Sequence, residues 1–260
     1  MKSNYRRYLR AAARGVVAIA ISGGLLPTIA GAQGSLLEGL VKNASDINIF
    51  SQFTQASRGA VIQPRGSHGA TGLGFELTYD LSDSTVASGG GSKPLGSSLF
   101  GVPMRIEVGA GYAQSGGFKS TNSAIDMYFS LRDLPAFSVY LSPYHAPSGG
   151  WEYVFLGAVP YVGMRTGLLS IQSGHAYTDT STYSLSGQTF QLGPIAGLSW
   201  DFGHFSAFTE GAYLWRNYPS LDWSAPAKGG LPAVLPRAID LSAWNILLGL
   251  TVELRPHAGR

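Results

Sequence analysis

Apolar and polar side chains alternate with a period of two residues along most of the chain. Between Gly72 and Leu81, every odd position is apolar, whereas the even positions are glycine, threonine or acidic. A two-residue period places successive side chains on opposite faces of a β-strand, while a helix repeats every 3.6 residues. The alternation predicts six clear strands and two weaker ones. The clear segments are 72–81, 102–113, 124–132, 190–202, 205–216 and 243–254, and the weaker ones are 46–53 and 153–171.

The composition of the two strand faces distinguishes a membrane barrel from a soluble sandwich, since strands alternate in both. The polar face of a soluble sandwich meets water, where lysine and glutamate are common. Here the polar face carries glycine, serine and a few charges of both signs, and none of the predicted strands contains lysine. This composition is typical of the interior of a small barrel whose apolar face is turned to lipid. The pattern favours an all-β, antiparallel transmembrane barrel.

The N-terminal residues have the three-part layout of a secretory signal peptide. Four arginines between Arg6 and Arg14 precede an apolar stretch over 15–29, which is followed by the small residues 30–32. The apolar stretch is shorter than the roughly 20 residues that a spanning helix needs. We therefore expect a signal peptide over 1–32 and a barrel domain over 33–260.

Removal of the signal peptide would change the charge of the protein. The full chain has 18 Lys+Arg and 15 Asp+Glu, and five of the basic residues but none of the acidic ones lie within 1–32. The mature part thus has 13 basic against 15 acidic residues, a net charge of about −2. A basic surface for nucleic acid is not expected. The absence of cysteine excludes disulfides, thiolate metal sites and a cysteine nucleophile.

Two short motifs resemble a family of outer-membrane proteins. Residues 160–167 and 190–197 look like the fifth and sixth strands of eight-stranded barrels of the OmpA, OmpW and opacity-protein type. The resemblance implies an up-and-down barrel with a periplasmic N-terminus and external loops over 172–187 and 217–240. The implied strands lie near 44–55, 69–81, 102–114, 122–132, 153–171, 188–202, 205–216 and 241–254. Residues 137–141 form a further candidate strand, which makes a ten-stranded barrel the alternative.

Charged residues fall repeatedly on the predicted inner faces. Eight strands enclose an interior that side chains just fill, and buried charges must be paired there. We expect an ion-paired plug, with a narrow or gated ion path as the alternative. The predicted interior charges are Glu76, Asp80, Arg105, Glu107, Asp126, Arg132, Arg165, Asp201, Glu210, Arg216 and Glu253. The aromatic residues expected at the membrane interfaces, near strand ends, are Tyr79, Tyr112, Trp200, Tyr213, Trp215 and Trp244.

One segment has residue types that could form a hydrolytic site. His204, Ser206 and Glu210 could act as base, nucleophile and orienting carboxylate. The His-x-Ser pair is similar to a motif of outer-membrane lipid A deacylases, but Ala207 stands where that motif carries asparagine. His204 also falls in a predicted periplasmic turn, far from outer-leaflet lipid. We expect no enzyme, and the scattered histidines predict no metal site or cofactor.

The sequence favours a structural or surface-interaction role for the external loops. Segment 217–238 combines aromatic residues with four prolines, so it is expected either to be an adhesive surface or to fold over the barrel mouth as a lid. The alternatives are a small-solute or ion channel of porin-like type and a lipid-modifying enzyme. The expected partners are outer-membrane lipid and lipopolysaccharide, the barrel-assembly machinery, and an external ligand of the loops.

Overall fold

The computed structural model describes residues 44–56, 70–81, 85–86, 93–94, 98–99, 102–121, 126–143, 157–178, 181–203, 205–225 and 235–254. The expected signal peptide over 1–32 lies outside this part of the chain. In the described ranges, no helix is long and apolar enough to cross a membrane.

Eight antiparallel strands form a closed barrel. They are β1 (Asp46–Ala56), β2 (Ala70–Asp80), β3 (Val102–Thr121), β4 (Asp126–Pro143), β5 (Ala158–Tyr177), β6 (Gln188–Asp201), β7 (Phe205–Tyr218) and β8 (Ala243–Glu253). Each strand pairs with the next, and β8 pairs with β1 to close the ring. We call the end of the barrel that carries Asp46 and Glu253 the lower end and the opposite end the upper end. The expected eight-stranded up-and-down barrel is confirmed.

β3 and β4 are longer than the sequence predicted, and β5 begins and ends later than predicted. β3, β4 and β5 contain 20, 18 and 20 residues, compared with 11 in each of β1, β2 and β8. The register of each long strand shifts once, near Gly117, Pro135 and Ser173, respectively. Such a bulge inserts one extra residue and breaks the alternation by which a strand is recognised. Residues 137–141 are thus the lower part of β4, and the ten-stranded alternative is wrong.

The two segments expected as external loops contain much β-structure. Residues 172–177 complete β5, and a short strand, Thr182–Ser186, pairs back onto them. A second short strand, Asp222–Ser224, pairs with the free edge of Thr182–Ser186. A third, Ile239–Asp240, pairs with the upper end of β7. We call the upper parts of β3, β4 and β5, together with Thr182–Ser186 and Asp222–Ser224, the extension. It continues one side of the barrel wall beyond the ends of β1 and β2.

Below the extension, the barrel has an apolar outer face and a polar inner face. Large apolar side chains on alternate positions are well exposed, as is usual for a surface that meets lipid. They include Ile49, Phe53, Leu73, Phe137, Val139, Val162, Met164, Leu192, Ile246, Leu248 and Leu250. The side chains between them point inward and are mostly polar or glycine, which agrees with the alternation predicted for β2, β6 and β8.

The extension has the opposite arrangement. Its inner face and the chain that crosses the barrel mouth share one apolar cluster. The cluster, which we call the upper plug, comprises Ala70, Phe118, Met127, Phe129, Leu131, Leu169, Ile171, Ala176, Tyr183, Leu185, Tyr218, Leu221, Leu235, Ile239 and Leu241. Its outer face carries mainly polar side chains, such as Ser130, Gln172 and Ser184. The extension is therefore built like a water-soluble sheet, with its apolar side buried.

This reversal corrects the expected orientation of upper β4. Met127 and Leu131, predicted to face lipid, are buried in the upper plug. Asp126 and Arg132, predicted to face inward, lie on the opposite, outer face of the same strand. The bulge near Pro135 changes which alternate positions point inward, so the apolar positions of the upper half lie inside and those of the lower half lie outside.

Glycines in the wall make room for large inward side chains. Gly109 lies against the carboxylate of Glu76, and Gly197 lies against the ring of Tyr161. A β-carbon at either glycine would overlap those side chains. The many glycines of the polar face thus allow the polar groups of a narrow interior to fit.

Candidate functional site in the barrel interior and at its upper end

A buried network of charged and hydroxyl groups crosses the middle of the barrel. Arg165, on β5, is at its centre: its Nη1 lies 2.9 Å from Oε1 of Glu210 on β7. The Arg165 Nη2 donates a hydrogen bond of 3.2 Å to the hydroxyl of Tyr140, and that hydroxyl donates to Glu76. The Tyr161 hydroxyl donates to the other oxygen of Glu210, at 3.3 Å. One guanidinium thus balances two carboxylates from opposite sides of the barrel.

Neutral side chains extend this middle network to β1 and β8. Asn48 of β1 donates to Glu76 at 3.3 Å, and Thr251 of β8 donates to Asn48 at 2.7 Å. The Arg165 Nε donates to the hydroxyl of Ser138 at 3.1 Å. Polar groups buried together in this way satisfy one another and fix the strands around them.

A second charged layer lies at the lower end. Arg105 Nε is 2.6 Å from Oδ2 of Asp80, and Arg105 Nη2 is 2.7 Å from Oε1 of Glu107. The same Nη2 is 4.0 Å from Oδ2 of Asp46. Three carboxylates on neighbouring strands are therefore gathered by one arginine at the lower opening.

A third polar layer lies between the middle network and the upper plug. Arg216 Nε donates to Oε1 of Gln191 at 2.9 Å, and the hydroxyl of Thr54 donates to Oδ1 of Asn245 at 2.6 Å. Asp133 of β4 is also buried in the interior, with only 4% of its surface exposed. Asp133 was not predicted as an interior charge because it lies beside the β4 bulge, where the alternation is interrupted.

The three layers and the upper plug lie at successive heights inside the described part of the barrel. The cavity bordered by Phe50, Glu76, Asp133, Arg165 and Leu214 has a volume of about 10 Å³, roughly the space that one water molecule needs. Above it, Leu221, Leu235 and their apolar neighbours occupy the mouth. The described residues of segment 217–238 thus contribute Tyr218, Leu221 and Leu235 to the upper plug.

Two other predicted interior charges occupy positions at the lower end. Asp201 is exposed, and its Oδ1 accepts a 2.8 Å hydrogen bond from the backbone N–H of Gly203 in the β6–β7 turn. Glu253 is partly buried at the end of β8, opposite Asp46 of β1. Neither lies in the middle network.

The predicted interface aromatics occupy different heights. Tyr213, Trp215 and Trp244 form an outward cluster near the upper ends of β7 and β8. The centroid of the Tyr213 ring lies 5.5 Å from that of the Trp215 ring and 5.0 Å from that of the Trp244 ring. Trp200 lies near the lower end of β6, and Tyr79 packs there against an outward apolar cluster. Tyr112 lies near the middle of β3, because that strand continues to Thr121 and not to residue 114.

The candidate hydrolytic residues are not arranged as a triad in the described part of the chain. His204 lies outside the described residues. Ser206 is buried on the inner face of β7, and Glu210, four residues along, is bound by Arg165 and Tyr161. In the described ranges, no group of three or more histidine, aspartate or glutamate side chains could hold a metal ion.

Comparison with known proteins adds little to this description. No family model and no curated protein matches the chain. The chain is similar to a solved structure described as a major outer membrane protein from Thermus thermophilus, with 12% sequence identity and a TM-score of 0.32. The alignment covers 78% of this chain and 98% of the other. The fold assignment therefore rests on the strand pairing described above. The chain shares a barrel architecture with the OmpA, OmpW and opacity-protein type, and the expected resemblance extends no further than that.

Proposed function

We propose that the chain is an integral protein of an outer membrane, with the barrel below the extension inside the bilayer. The observation that carries this proposal is the pairing of an apolar outer face with a polar, ion-paired inner face. A water-soluble barrel would bury the apolar face instead. Exposed side chains such as Leu73, at 71%, and Ile246, at 56%, are favourable only when something apolar covers them.

Strand length supports the same placement. β1, β2 and β8 have 11 residues each, and a transmembrane strand needs roughly 9–11 residues when it is tilted. These three strands therefore match the thickness of a bilayer. The longer β3, β4 and β5 exceed it, and their excess length forms the extension, whose polar outer face suits water.

We propose that the barrel is a closed scaffold and that its role is to hold the extension at the membrane surface. The middle network and the upper plug lie one above the other, so a solute path would have to displace both. This supports a structural or surface-interaction role over a channel. The engagement of Glu210 by Arg165 likewise supports a structural role for that carboxylate over one in a lipid-modifying enzyme.

Three measurements on the purified, refolded full chain test this proposal. A folded barrel should run faster than the heat-unfolded chain on an SDS gel, and it should insert into lipid vesicles. In a planar bilayer the inserted protein should produce no unitary conductance steps. A protein that remains in the periplasmic fraction of cells would contradict the membrane placement, whereas regular conductance steps would contradict the closed scaffold alone.

A further inference from the structure

The outer face of β4 changes character at one height. Below the bulge, Phe137 and Val139 are 49% and 44% exposed and face outward. Above it, the outward positions are Arg132, Ser130 and Tyr128. The neighbouring strand β5 changes in the same way, from Val162 and Met164 to Ser170, Gln172 and His175. If the lower barrel lies in the bilayer, as proposed above, Arg132 stands at the boundary with lipid headgroups.

Arg132 has polar neighbours on both adjacent strands. Gln114, exposed on β3, is its cross-strand partner on one side, and Ser170 of β5 is its partner on the other. The Gln114 side chain accepts a hydrogen bond of 2.7 Å from the Tyr112 hydroxyl. The Nε of Arg132 is buried and has no hydrogen-bond partner among the described residues, so a ligand can meet only the two terminal nitrogens of this partly exposed side chain. A guanidinium in such a place suits a phosphate, which it can bind through two N–H groups.

An aromatic patch lies above Arg132 on the same outer face. Tyr128 and His175 are cross-strand partners, and the Tyr128 and Tyr177 rings meet edge to face with centroids 5.7 Å apart. Tyr128 is 36% exposed and Tyr177 is 44% exposed. The exposed hydroxyl residues Thr182 and Ser184 flank this patch on the neighbouring short strand. Aromatic faces bordered by hydroxyl groups suit sugar rings, whose C–H groups pack on the ring while their hydroxyls form hydrogen bonds.

The separation of the two features matches one kind of ligand. Four residues separate Arg132 from Tyr128 along the strand, which is a rise of roughly 13 Å. The phosphate group of a phosphorylated glycolipid lies at the membrane boundary, and its sugars extend outward from there. We propose that Arg132 binds the phosphate and that Tyr128, His175 and Tyr177 contact the saccharide of a phosphorylated glycolipid in the outer leaflet. This inference rests on the proposed membrane placement.

The test measures lipid binding to the refolded full chain by native mass spectrometry in detergent. The probes are rough lipopolysaccharide, the same glycolipid after enzymatic dephosphorylation, and phosphatidylglycerol, which has a phosphate but no sugar. Wild type should bind rough lipopolysaccharide most tightly. Arg132→Gln should weaken that binding about tenfold, the effect expected for loss of a charge-assisted hydrogen bond. It should also remove the preference for the phosphorylated over the dephosphorylated form.

The aromatic patch is tested separately. Replacing both Tyr128 and Tyr177 with leucine should weaken binding of rough lipopolysaccharide and leave binding of phosphatidylglycerol unchanged. Arg237→Gln, at an exposed arginine away from the patch, and Tyr213→Leu, at an outward aromatic on β7, are the matched controls and should bind as wild type.

Several outcomes would overturn the inference. These are unchanged glycolipid binding by Arg132→Gln, equal binding of phosphatidylglycerol and rough lipopolysaccharide by wild type, or an equal loss in the controls. Each preparation is first checked for heat-modifiable mobility and insertion into vesicles. A chain that fails this check contradicts the proposed membrane placement, whereas a chain that inserts but shows no glycolipid preference contradicts the glycolipid site alone.

Discussion

At the scale of single residues, the charge balance of the barrel interior depends on Arg165. Its guanidinium lies between Glu210, at 2.9 Å, and the Tyr140 hydroxyl that donates to Glu76. Moving charges out of water is costly, so each buried carboxylate is tolerated because the cation is close. An arginine suits this position better than a lysine, since its planar group donates in several fixed directions.

Replacement of Arg165 by methionine should therefore destabilise the barrel by about 3 kcal/mol, since it leaves two buried carboxylates without their cation. Urea unfolding of the vesicle-inserted protein, followed by loss of the heat-modifiable band, measures the change. The double variant Arg165→Met with Glu210→Gln should lose less stability than Arg165→Met alone. Arg237→Met, at an exposed site, is the control. Equal unfolding midpoints for Arg165→Met and wild type would contradict the importance of the network.

The close contact at Gly197 gives a second residue-scale prediction. A methyl group there would overlap the ring of Tyr161, which donates to Glu210. Gly197→Ala should cost about 2 kcal/mol of stability in the same urea assay, as is usual for an overpacked interior. Gly211→Ala is a matched control on the adjacent strand, because the nearest atom to its added carbon is 3.9 Å away. The prediction is wrong if both variants unfold at the same urea concentration.

At the scale of elements, the bulges decide how far the sequence could be interpreted. β8, with no bulge and with an apolar outer face along its whole length, was predicted with its outward and inward residues correctly assigned, from Trp244 to Glu253. β4 was not, because its alternation breaks near Pro135 and its apolar face reverses above that point. A periodic pattern gives two faces but does not say which face meets lipid. Only the height of a residue in the barrel decides that, and height depends on the pairing of distant strands.

The interior site was also only partly accessible to the sequence. Glu76, Arg165, Glu210 and Arg216 lie on unbroken alternating runs, and the structure buries each of them. Which of them meet could not be deduced, since Glu76 and Arg165 belong to strands on different sides of the ring. The hydroxyl of Tyr140, which connects them, lies in residues 137–141, which the eight-stranded prediction left between two strands and the ten-stranded alternative made a separate strand.

The β4 bulge itself can be tested by deletion. Removing Leu134 takes away the extra residue, so that one residue stands between Asp133 and Ala136, as on both neighbouring strands. Both halves of β4 then keep their inner and outer faces, and we expect this variant to refold and to show the heat-modifiable band. Deletion of Val139, in the regular part of β4, is the matched comparison: it reverses the faces of one half, for example turning Tyr140 outward, and should give no such band. Failure of the Leu134 deletion variant to refold would show that the bulge itself is required.

At the scale of the whole molecule, the barrel combines two types of architecture in one wall. Below the β4 bulge, the outside is apolar and the inside is polar, whereas in the extension the outside is polar and the inside is apolar. Each arrangement is stable only in its own solvent, lipid or water. If the lower barrel lies in a bilayer, as proposed, the change between them along β4 and β5 fixes the depth at which the protein sits, independently of any loop.

The same architecture gives the barrel two closures in series, the upper plug and the middle network. Loosening the plug alone, with Leu221→Ala and Leu235→Ala, should leave the protein non-conducting, because Arg165 and its partners still fill the lumen. Adding Arg165→Ala and Tyr161→Ala should produce unitary steps in planar bilayers, provided that the variant still shows heat-modifiable mobility. Steps from the plug variant alone would mean that the polar layers do not block ions. If the fourfold variant folds but stays silent, the layers around Arg216 and Arg105 must close the lumen by themselves.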